Sequence, residues 1–476
     1  MNKEIKICFL ARPCYDKFST KIYKSFKENC DQGLCAGFIT SNDKETEFVR
    51  QTLKGYDIEV FEVAKFFREN WDKFTFENLV KFEEKYDCKP IWKYIYTDRF
   101  LINYDYDYVI KITTGYFYFF EYVFEKGGYN FYYDETIATL QSYMAYLVGR
   151  KTGTKYISQM TARAGLDAQY HYFLEDPFQL NMLVNNEYSG RTYPQEIMDQ
   201  AEAYLSEFES KEIKPENMAH VQQKPKFELQ FLLLPIKYVK HRLSKYANDK
   251  HFYMYYKLYK TVFDPLKFYI RYQISKKYYN KADFSKKYIY YPLHYQPEAS
   301  TIVCAQKYEK QLFYIDSWAK SLPADTVLYV KEHYAVLGHR DLSFYKELKK
   351  YPNVILIDPW ESSRELMKNA VAVTTLTGTA GWEAMLLRKP VFLGGRIFFE
   401  NAPGIIKVED MYENYLPLLE SWKKPDRKEV LDYLCSMFES FRKGNVYADA
   451  AVALEDDNID LVARSLYEQI CVILER

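Results

Sequence analysis

The sequence predicts an α/β protein with two doubly wound domains and a basic helical insertion between them. Short apolar runs alternate with amphipathic stretches over about the first 210 residues, and the alternation resumes at Tyr288. Such alternation is typical of parallel sheets covered by helices. The 476 residues, 48% of them hydrophobic and 27% charged, suit a globular chain of two to four domains at about 150 residues each.

Apolar and β-branched runs predict the strands of the first domain. They lie at 5–10, 37–40, 58–63, 108–113, 130–133 and 155–158. Helical periodicity predicts helices at 20–30 and about 136–150, and an acidic helical region at 175–217.

The second domain shows the same alternation. Its predicted strands are 288–293, 327–331, 354–357, 371–375 and 391–394, with helices at about 305–321, 342–350, 362–369 and 380–387. The residues from Lys428 onward are helical by pattern. We therefore divide the chain into a first domain (1–215), an insertion (216–287), a second domain (288–425) and C-terminal helices (426–476) that can pack back on the first domain.

The insertion differs from the rest of the chain in charge. Residues 222–287 hold sixteen Lys/Arg against four Asp/Glu, a net charge of +12, although the whole chain is formally neutral. Many of the 48 tyrosines and 33 phenylalanines of the chain alternate with these bases. Basic and aromatic residues together suit an anionic membrane surface. Single-stranded nucleic acid and a merely solvated hairpin are the alternatives; nothing else in the sequence indicates nucleic acid, and we favour the membrane.

The cysteines indicate a reducing compartment. Eight are scattered without Cys-x-x-Cys or zinc-like spacing, so we expect free thiols, no metal site and a cytoplasmic protein. We expect neither a signal peptide nor a transmembrane helix, because the apolar runs are too short. Taken with the basic insertion, this predicts a protein peripheral to the inner face of the membrane.

The sharpest candidate for chemistry follows the strand at 371–375. There a strand runs into Thr377, Gly378, Thr379 and Ala380 and then directly into a helix that carries Glu383. Such a turn presents backbone N–H groups and a helix N-terminus to a phosphate. The alternative is a tight turn in which threonine caps the helix and glycine serves the backbone geometry.

Two other strand ends of the second domain carry polar residues. His294 and Gln296 follow the strand at 288–293, and Lys331 and His333 end the strand at 327–331. Because ligands of open α/β sheets bind outside the carboxyl ends of strands, we expect these groups in one crevice. A lone histidine is more often a surface residue; the convergence of three strand ends favours a site.

These segments resemble the capsule polysaccharide biosynthesis family. The resemblance rests on Tyr-Pro-Leu-His-Tyr-Gln-Pro-Glu-Ala-Ser-Thr (291–301), Val-Lys-Glu-His (330–333), and Pro-Asn-Val, Thr-Leu-Thr-Gly-Thr-Ala-Gly-Trp-Glu-Ala and Lys-Pro-Val within 352–395. The family is related to bacterial β-Kdo transferases and has the GT-B fold, in which two Rossmann-type domains face each other across a cleft. The chain departs from it at Tyr334, where the family has proline after the histidine.

The resemblance implies a metal-independent, cofactor-independent glycosyltransferase of surface or capsular polysaccharide. A nucleotide-sugar donor, of a kind such as CMP-Kdo, would bind Gln296, Lys331, His333, the turn 377–380 and Glu383, with Glu383 on the ribose side. The acceptor would be a glycan or a lipid-linked glycan. The alternatives are a sugar-nucleotide epimerase or hydrolase on the same fold, and a non-catalytic component of capsule assembly.

The family also carries an acidic pair in its first domain, and the nearest match is Asp134-Glu135. The pair follows the strand at 130–133, so its carboxylates are expected at the cleft as base or nucleophile. Thr136 stands where the family has glycine. The alternative is that Asp134 caps the following helix and Glu135 favours its dipole.

Two further acidic motifs predict no site. Asp105-Tyr106-Asp107 has the Asp-x-Asp pattern of metal-dependent glycosyltransferases but precedes a predicted strand, so we expect a solvated loop. Asp98-Arg99 is expected to form an ion pair on a helix surface, although it could line the cleft.

Overall fold

The computed structural model describes residues 4–162, 169–174, 176–178, 180, 187–210, 224–408 and 415–475. Their strands are β1 (Lys6–Leu10), β2 (Cys35–Thr40), β3 (Ile58–Glu62), β4 (Phe131–Asp134), β5 (Lys155–Thr161), β6 (Tyr170–Leu174), β7 (Lys287–Pro292), β8 (Thr326–Lys331), β9 (Val354–Ile357), β10 (Ala372–Thr375), β11 (Val391–Leu393), β12 (Ile405–Lys407) and β13 (Arg442–Lys443).

The α-helices follow in chain order. They are α1 (Tyr15–Asn29), α2 (Asp43–Thr52), α3 (Val63–Asn70), α4 (Phe76–Lys85), α5 (Trp92–Ile95), α6 (Tyr106–Gly127), α7 (Leu140–Thr152), α8 (Gln195–Ser210), α9 (Leu234–Arg242), α10 (Lys245–Asn248), α11 (Asp264–Ser275), α12 (Ala299–Ile302), α13 (Gln311–Ser321), α14 (Leu342–Leu348), α15 (Ser363–Asn369), α16 (Thr379–Leu386), α17 (Tyr415–Ser421), α18 (Arg427–Ser440) and α19 (Asp456–Glu475).

The strands form two sheets with the same internal order. The first sheet runs β13-β6-β5-β4-β1-β2-β3, in which β1 to β5 are parallel, β6 is antiparallel to β5, and β13 is antiparallel to β6. The second runs β12-β11-β10-β7-β8-β9 and is parallel throughout. Counted from its own first strand, each contains the 3-2-1-4-5 order of the Rossmann fold. The predicted fold class, two doubly wound domains, is confirmed.

This order fixes where ligands bind. In a doubly wound sheet the crevice lies where the strand order reverses, between the first and fourth strands. In the first sheet that switch point lies between β1 and β4, and in the second between β7 and β10. The loops that follow these four strands are therefore the ones to examine for chemistry.

One predicted strand is wrong. Residues 108–113 lie in α6, a helix of 22 residues whose interior is buried on nearly all sides. Asp105 accepts a hydrogen bond from Tyr108 N–H and so caps the helix, and Gly128 ends it in the left-handed conformation. Asp105 is thus a helix cap and not part of a solvated loop. A buried helix lacks a polar face, so its β-branched residues resemble a buried strand.

The C-terminal elements contact the first domain. Helix α19 packs along α1, where Lys21 Nζ donates to Asp456 at 2.6 Å, and β13 extends the first sheet beside β6. The side chain of His171 in β6 joins these parts, because it contacts the carbonyl of Gly444 and the hydroxyl of Ser465.

Residues 224–286, which we call the strap, connect the two domains through short helices α9 to α11. One part contacts the first domain: Arg68 pairs with Asp249 at 2.7 Å, and Tyr108 Oη donates to the carbonyl of Lys250. A later part contacts the second domain, where Arg271 donates to the carbonyl of His339. No helix among the described ranges is long and apolar enough to cross a membrane.

Candidate active site

The turn after β10 lies at the switch point of the second sheet. Thr375 Oγ1 accepts a hydrogen bond from Gly378 N–H at 3.0 Å, and Thr377 Oγ1 donates to the carbonyl of Ser300 at 2.7 Å. Thr377 is buried, so its hydroxyl is committed to the turn and not presented to a ligand. Thr379, in contrast, is exposed at the first position of α16.

Gly378 precedes α16 and supplies no side chain to cap it. Among the described residues, neither the N–H of Thr379 nor that of Ala380 has a hydrogen-bond partner. A Cβ atom at Gly378 would come 2.9 Å from Thr375 Oγ1 and 3.0 Å from His294 Cε1, so the close packing requires glycine. The turn therefore offers two backbone donors at the positive end of a helix, the arrangement that binds phosphate.

His294, which directly follows the second-domain strand β7, was expected in the crevice but was not among the residues predicted to bind the donor. Its Nε2 accepts a hydrogen bond from Leu376 N–H at 3.0 Å and lies 3.1 Å from Thr375 Oγ1. Nδ1 must then carry the proton of the neutral ring. Burial, and secondarily the positive charges of His333 and Arg340, lower the pKa of His294 to about 3. The neutral imidazole thus stabilises the turn that positions the N–H groups of Thr379 and Ala380. Its position immediately after a strand end was the available signal.

His333 and Lys331 lie at the end of β8, beside this switch point. His333 Nδ1 accepts from Ala335 N–H at 3.2 Å, which leaves the proton on Nε2. Its pKa is lowered to about 4, first by burial and then by Arg340 and Lys331. Lys331 is buried, and its Nζ donates to Ser363 Oγ at 2.7 Å, so part of its donor capacity is used within the domain.

A buried ion pair holds the β7 and β8 loops together. Arg340 Nε donates to Glu332 Oε2 at 3.0 Å, and Arg340 Nη2 donates to the carbonyl of His294. Gln296 belongs to the same network, because its Oε1 accepts from Gln311 Nε2 at 2.6 Å. Gln296 and Arg340 also line a cavity of about 300 Å³. Neither Glu332 nor Arg340 was predicted, since the sequence gives no sign that they pair.

Glu383 lies in the second turn of α16 and is half-buried. Its carboxylate is close enough to Tyr290 to help raise the pKa of that phenol, which burial raises chiefly. The structure thus groups most of the predicted donor residues around β7, β8 and β10, with Gln296 and Thr377 bound into the supporting framework.

The switch point of the first sheet is acidic. Asp134 ends β4 and is buried, with Oδ1 accepting from Glu135 N–H at 2.6 Å. Its Oδ2 is buried without a hydrogen bond of good geometry, although the hydroxyls of Ser142, Tyr132 and Tyr156 favour its ionised form. Burial dominates and raises the pKa of Asp134 to about 6. A carboxyl with such a pKa exchanges protons readily near neutral pH.

Glu135 forms an ion pair with Arg12, which follows β1 on the other side of the same switch point. Both side chains are mostly buried. Arg12 was not predicted, although its place after the first strand could have indicated it. The alternative that Asp134 caps the next helix is wrong, because α7 begins at Leu140 and is capped by Thr139.

Asp98 is not a surface residue as expected. It is fully buried, and its Oδ2 accepts from Leu140 N–H and from Tyr253 Oη, each at 2.7 Å. Burial raises its pKa, and these hydrogen bonds partly oppose the shift. Asp98 therefore fastens the strap, through Tyr253, to the first turn of α7, which follows the Asp134–Glu135 loop.

The segment that follows β7 contacts both domains. Ile302 and Cys304 belong to the apolar core of the first domain, and Gln306 Nε2 donates to the carbonyl of Lys93 at 2.7 Å. Ser300, in the same segment, accepts the Thr377 hydrogen bond of the β10 turn. Within the part of the chain that the structure describes, no three His, Cys, Asp or Glu side chains gather as metal ligands would.

Two Rossmann-ordered sheets, whose domains contact each other through the segment after β7, define a two-domain protein of the GT-B type. Residues 160–439 match the family model described as capsule polysaccharide biosynthesis protein. The match covers more than half of the chain, so the protein belongs to this family, and the resemblance stated above is confirmed.

Several solved structures are similar to this chain at low identity. KpsC of Thermosulfurimonas dismutans, a β-Kdo 2,7 transferase, is 14% identical, with 72% of this chain and 88% of that chain covered and a TM-score of 0.34. The UDP-GlcNAc 2-epimerase of Methanocaldococcus jannaschii, in complex with UDP-GlcNAc and UDP, is 12% identical, with 90% and 98% covered and a TM-score of 0.28. The comparison with curated proteins gives no match.

Proposed function

We propose that this protein is a glycosyltransferase that moves a sugar from a nucleotide-sugar donor to a glycan or lipid-linked acceptor during synthesis of a surface or capsular polysaccharide. The observation that carries the proposal is the uncapped N-terminus of α16 at the switch point of the second sheet. The phosphate of a nucleoside diphosphate or monophosphate is the ligand that such a turn binds best.

The donor would lie across the ends of β7, β8 and β10. The N–H groups of Thr379 and Ala380 would hold the phosphate, with the Thr379 hydroxyl and the Nε2–H of His333 as further donors. Lys331 would contribute positive charge and Glu383 would accept hydrogen bonds from ribose hydroxyls. As the sugar–phosphate bond breaks, these fixed donors would stabilise the charge that develops on the departing nucleotide.

Of the two carboxylates, Asp134 is the better proton acceptor. Glu135 is paired with Arg12, whereas Asp134 has a raised pKa and an oxygen without a well-formed hydrogen bond. A base at Asp134 would take the proton from the acceptor hydroxyl as that oxygen attacks the anomeric carbon. The Arg12–Glu135 pair would then orient the loop. Arrangements of this kind need no metal ion.

The strap would bring the enzyme to its acceptor. Its excess of Lys and Arg is attracted to anionic headgroups, and each base near the surface contributes about 1 kcal/mol. A lipid-linked acceptor would be presented at that surface. We therefore propose a cytoplasmic protein that associates peripherally with the inner face of the membrane.

Thermal unfolding with CMP, UDP, GDP and dTDP, and with their sugar conjugates, tests the donor site. One nucleotide should raise the unfolding temperature, since a ligand at 100 times its Kd adds about 2.7 kcal/mol. Failure of every nucleotide to stabilise the protein would contradict the proposal. Consumption of a nucleotide sugar without any acceptor would instead favour an epimerase or hydrolase.

A further inference from the structure

The outer face of the strap carries a dense group of exposed apolar side chains. We call this group the apolar ridge; its members and their exposed fractions are Leu229 (79%), Leu232 (68%), Leu233 (51%), Ile236 (67%), Val239 (55%) and Leu243 (78%). Single exposed apolar residues are ordinary, but a contiguous group marks a contact surface.

The helical geometry of α9 explains the ridge. Ile236 and Val239 lie in α9 and Leu243 caps its C-terminal end, and their spacing of three and four residues aligns them on one helix face. Leu232 lies in the 3₁₀ helix that leads directly into α9. The opposite face carries Leu234, which is buried together with Phe231 just before the helix. The strap has therefore already buried one apolar face, where Phe231 contacts Phe227 and Tyr269 of the strap itself, and presents a second one outward.

Basic residues flank the ridge. Lys226, Lys237, Lys240 and Arg242 form no ion pair with any carboxylate in the described ranges. Glu228 is the single acid between residues 224 and 248. Long basic side chains beside an apolar stripe can extend to headgroup phosphates while the stripe enters the acyl region. The charge pattern thus favours an anionic bilayer over a protein partner.

The ridge is held next to the candidate donor site. Lys245 pairs with Asp43 of the first domain at 2.6 Å, and Phe268 stacks on His339 of the second. A groove of about 300 Å³ between the strap and the second domain is lined by Phe231 and by Tyr334, which follows His333. A bilayer on the ridge would therefore lie beside the donor-binding edge of the second domain.

We infer that the apolar ridge inserts into the boundary between headgroups and acyl chains of an anionic bilayer and holds the second domain against it. The inference rests on the membrane part of the proposed function. It attributes membrane binding to the insertion of named side chains and not to electrostatic attraction alone. Insertion and attraction differ in their response to salt, because salt screens charges but strengthens apolar burial.

Flotation with vesicles tests this inference. The full chain should bind vesicles of phosphatidylcholine with 30% phosphatidylglycerol, and a substantial fraction should stay bound at 0.5 M NaCl. The double variant Leu232→Ser/Ile236→Ser should bind at least about tenfold more weakly, because two large side chains no longer enter the bilayer. A matched control is Leu461→Ser/Val472→Ser, which removes exposed apolar residues of α19 and should bind like the wild type.

The outcomes separate the possible readings. Undiminished binding by Leu232→Ser/Ile236→Ser, with complete release of the wild type by salt, would overturn insertion and leave only electrostatic attraction. A concentration-dependent dimer that this variant abolishes, seen by light scattering without lipid, would overturn the bilayer in favour of a second copy. Wild-type protein that binds a nucleotide but no vesicle would overturn the membrane inference and leave the donor site intact.

Discussion

The two switch points of this molecule lie in sheets with the same strand order, but they carry different chemical groups. Between β1 and β4 the first sheet presents Asp134, whose pKa is raised, and a Glu135–Arg12 ion pair. Between β7 and β10 the second sheet presents neutral His294 and the N–H groups of α16. On the same loops of the same fold, we therefore propose that the first switch point accepts protons and that the second binds an anion.

Replacement of the Asp134 carboxylate should produce the largest effect on activity. Asp134→Asn removes the proposed base, so the transfer rate should fall about 10²- to 10⁴-fold while nucleotide affinity stays unchanged. Radiolabelled-sugar incorporation with the donor found by thermal screening measures the rate. Equal rates for wild type and Asp134→Asn would show that the first switch point is not catalytic.

The structure around the second switch point depends on the buried ion pair between Arg340 and Glu332. Arg340→Met leaves the carboxylate of Glu332, which is 1% exposed, without its partner and should cost about 3–5 kcal/mol of unfolding free energy. Urea unfolding measures the loss. Adding Glu332→Gln should restore part of the stability; no restoration would indicate that packing and not charge explains the effect.

The two switch points should respond to pH with opposite signs. Asp134 binds a proton more tightly when folded, so its contribution to stability is lost as pH rises from about 4 to 6. His294 binds a proton less tightly when folded, so stability is lost as pH falls from about 6.5 towards 3. Between pH 7.5 and 4, each contribution should change by about 3 kcal/mol.

Chemical unfolding at several pH values measures both contributions. Asp134→Asn should gain stability relative to the wild type at pH 7.5 and lose that advantage at pH 4. His294→Gln should show the reverse trend, gaining on the wild type as the solution becomes acidic. Parallel curves for all three proteins would contradict the assigned environments.

A smaller effect is expected where the strap is fastened to the first domain. Tyr253→Phe removes one hydrogen bond to buried Asp98 and should cost about 1.5–3 kcal/mol, the range for bonds to charged groups. Tyr255→Phe, a neighbouring change without a hydrogen bond to a carboxylate among the described contacts, is the control. Hydrogen exchange at the Leu140 N–H should rise only in Tyr253→Phe, because this N–H and Tyr253 Oη donate to the same Asp98 oxygen.

The sequence predicted the second sheet more accurately than the first. Its parallel strands are continuous apolar runs, and the predicted 354–357 coincides with β9. In the first domain the buried helix α6 has the composition of a strand, which periodicity does not resolve.

For the candidate site, strand ends predicted where Asp134, His333 and the turn after β10 lie, because these positions depend only on local order. Contacts between residues that are distant in the chain could not be predicted from the sequence. Asp98 and Tyr253 are 155 residues apart, and only the folded chain shows their contact.

Nucleotide binding by three single-site variants tests the central claim most directly. Thr379 is exposed, so Thr379→Glu should keep the fold and even favour the helix dipole, yet its carboxylate would compete with a phosphate. By calorimetry, Thr379→Glu should bind the nucleotide at least tenfold more weakly than the wild type, whereas Thr379→Ser and Asp134→Asn should match it. Equal affinity in wild type and Thr379→Glu, or a loss of affinity in Asp134→Asn, would contradict the assignment of nucleotide binding to the second sheet and of proton transfer to the first.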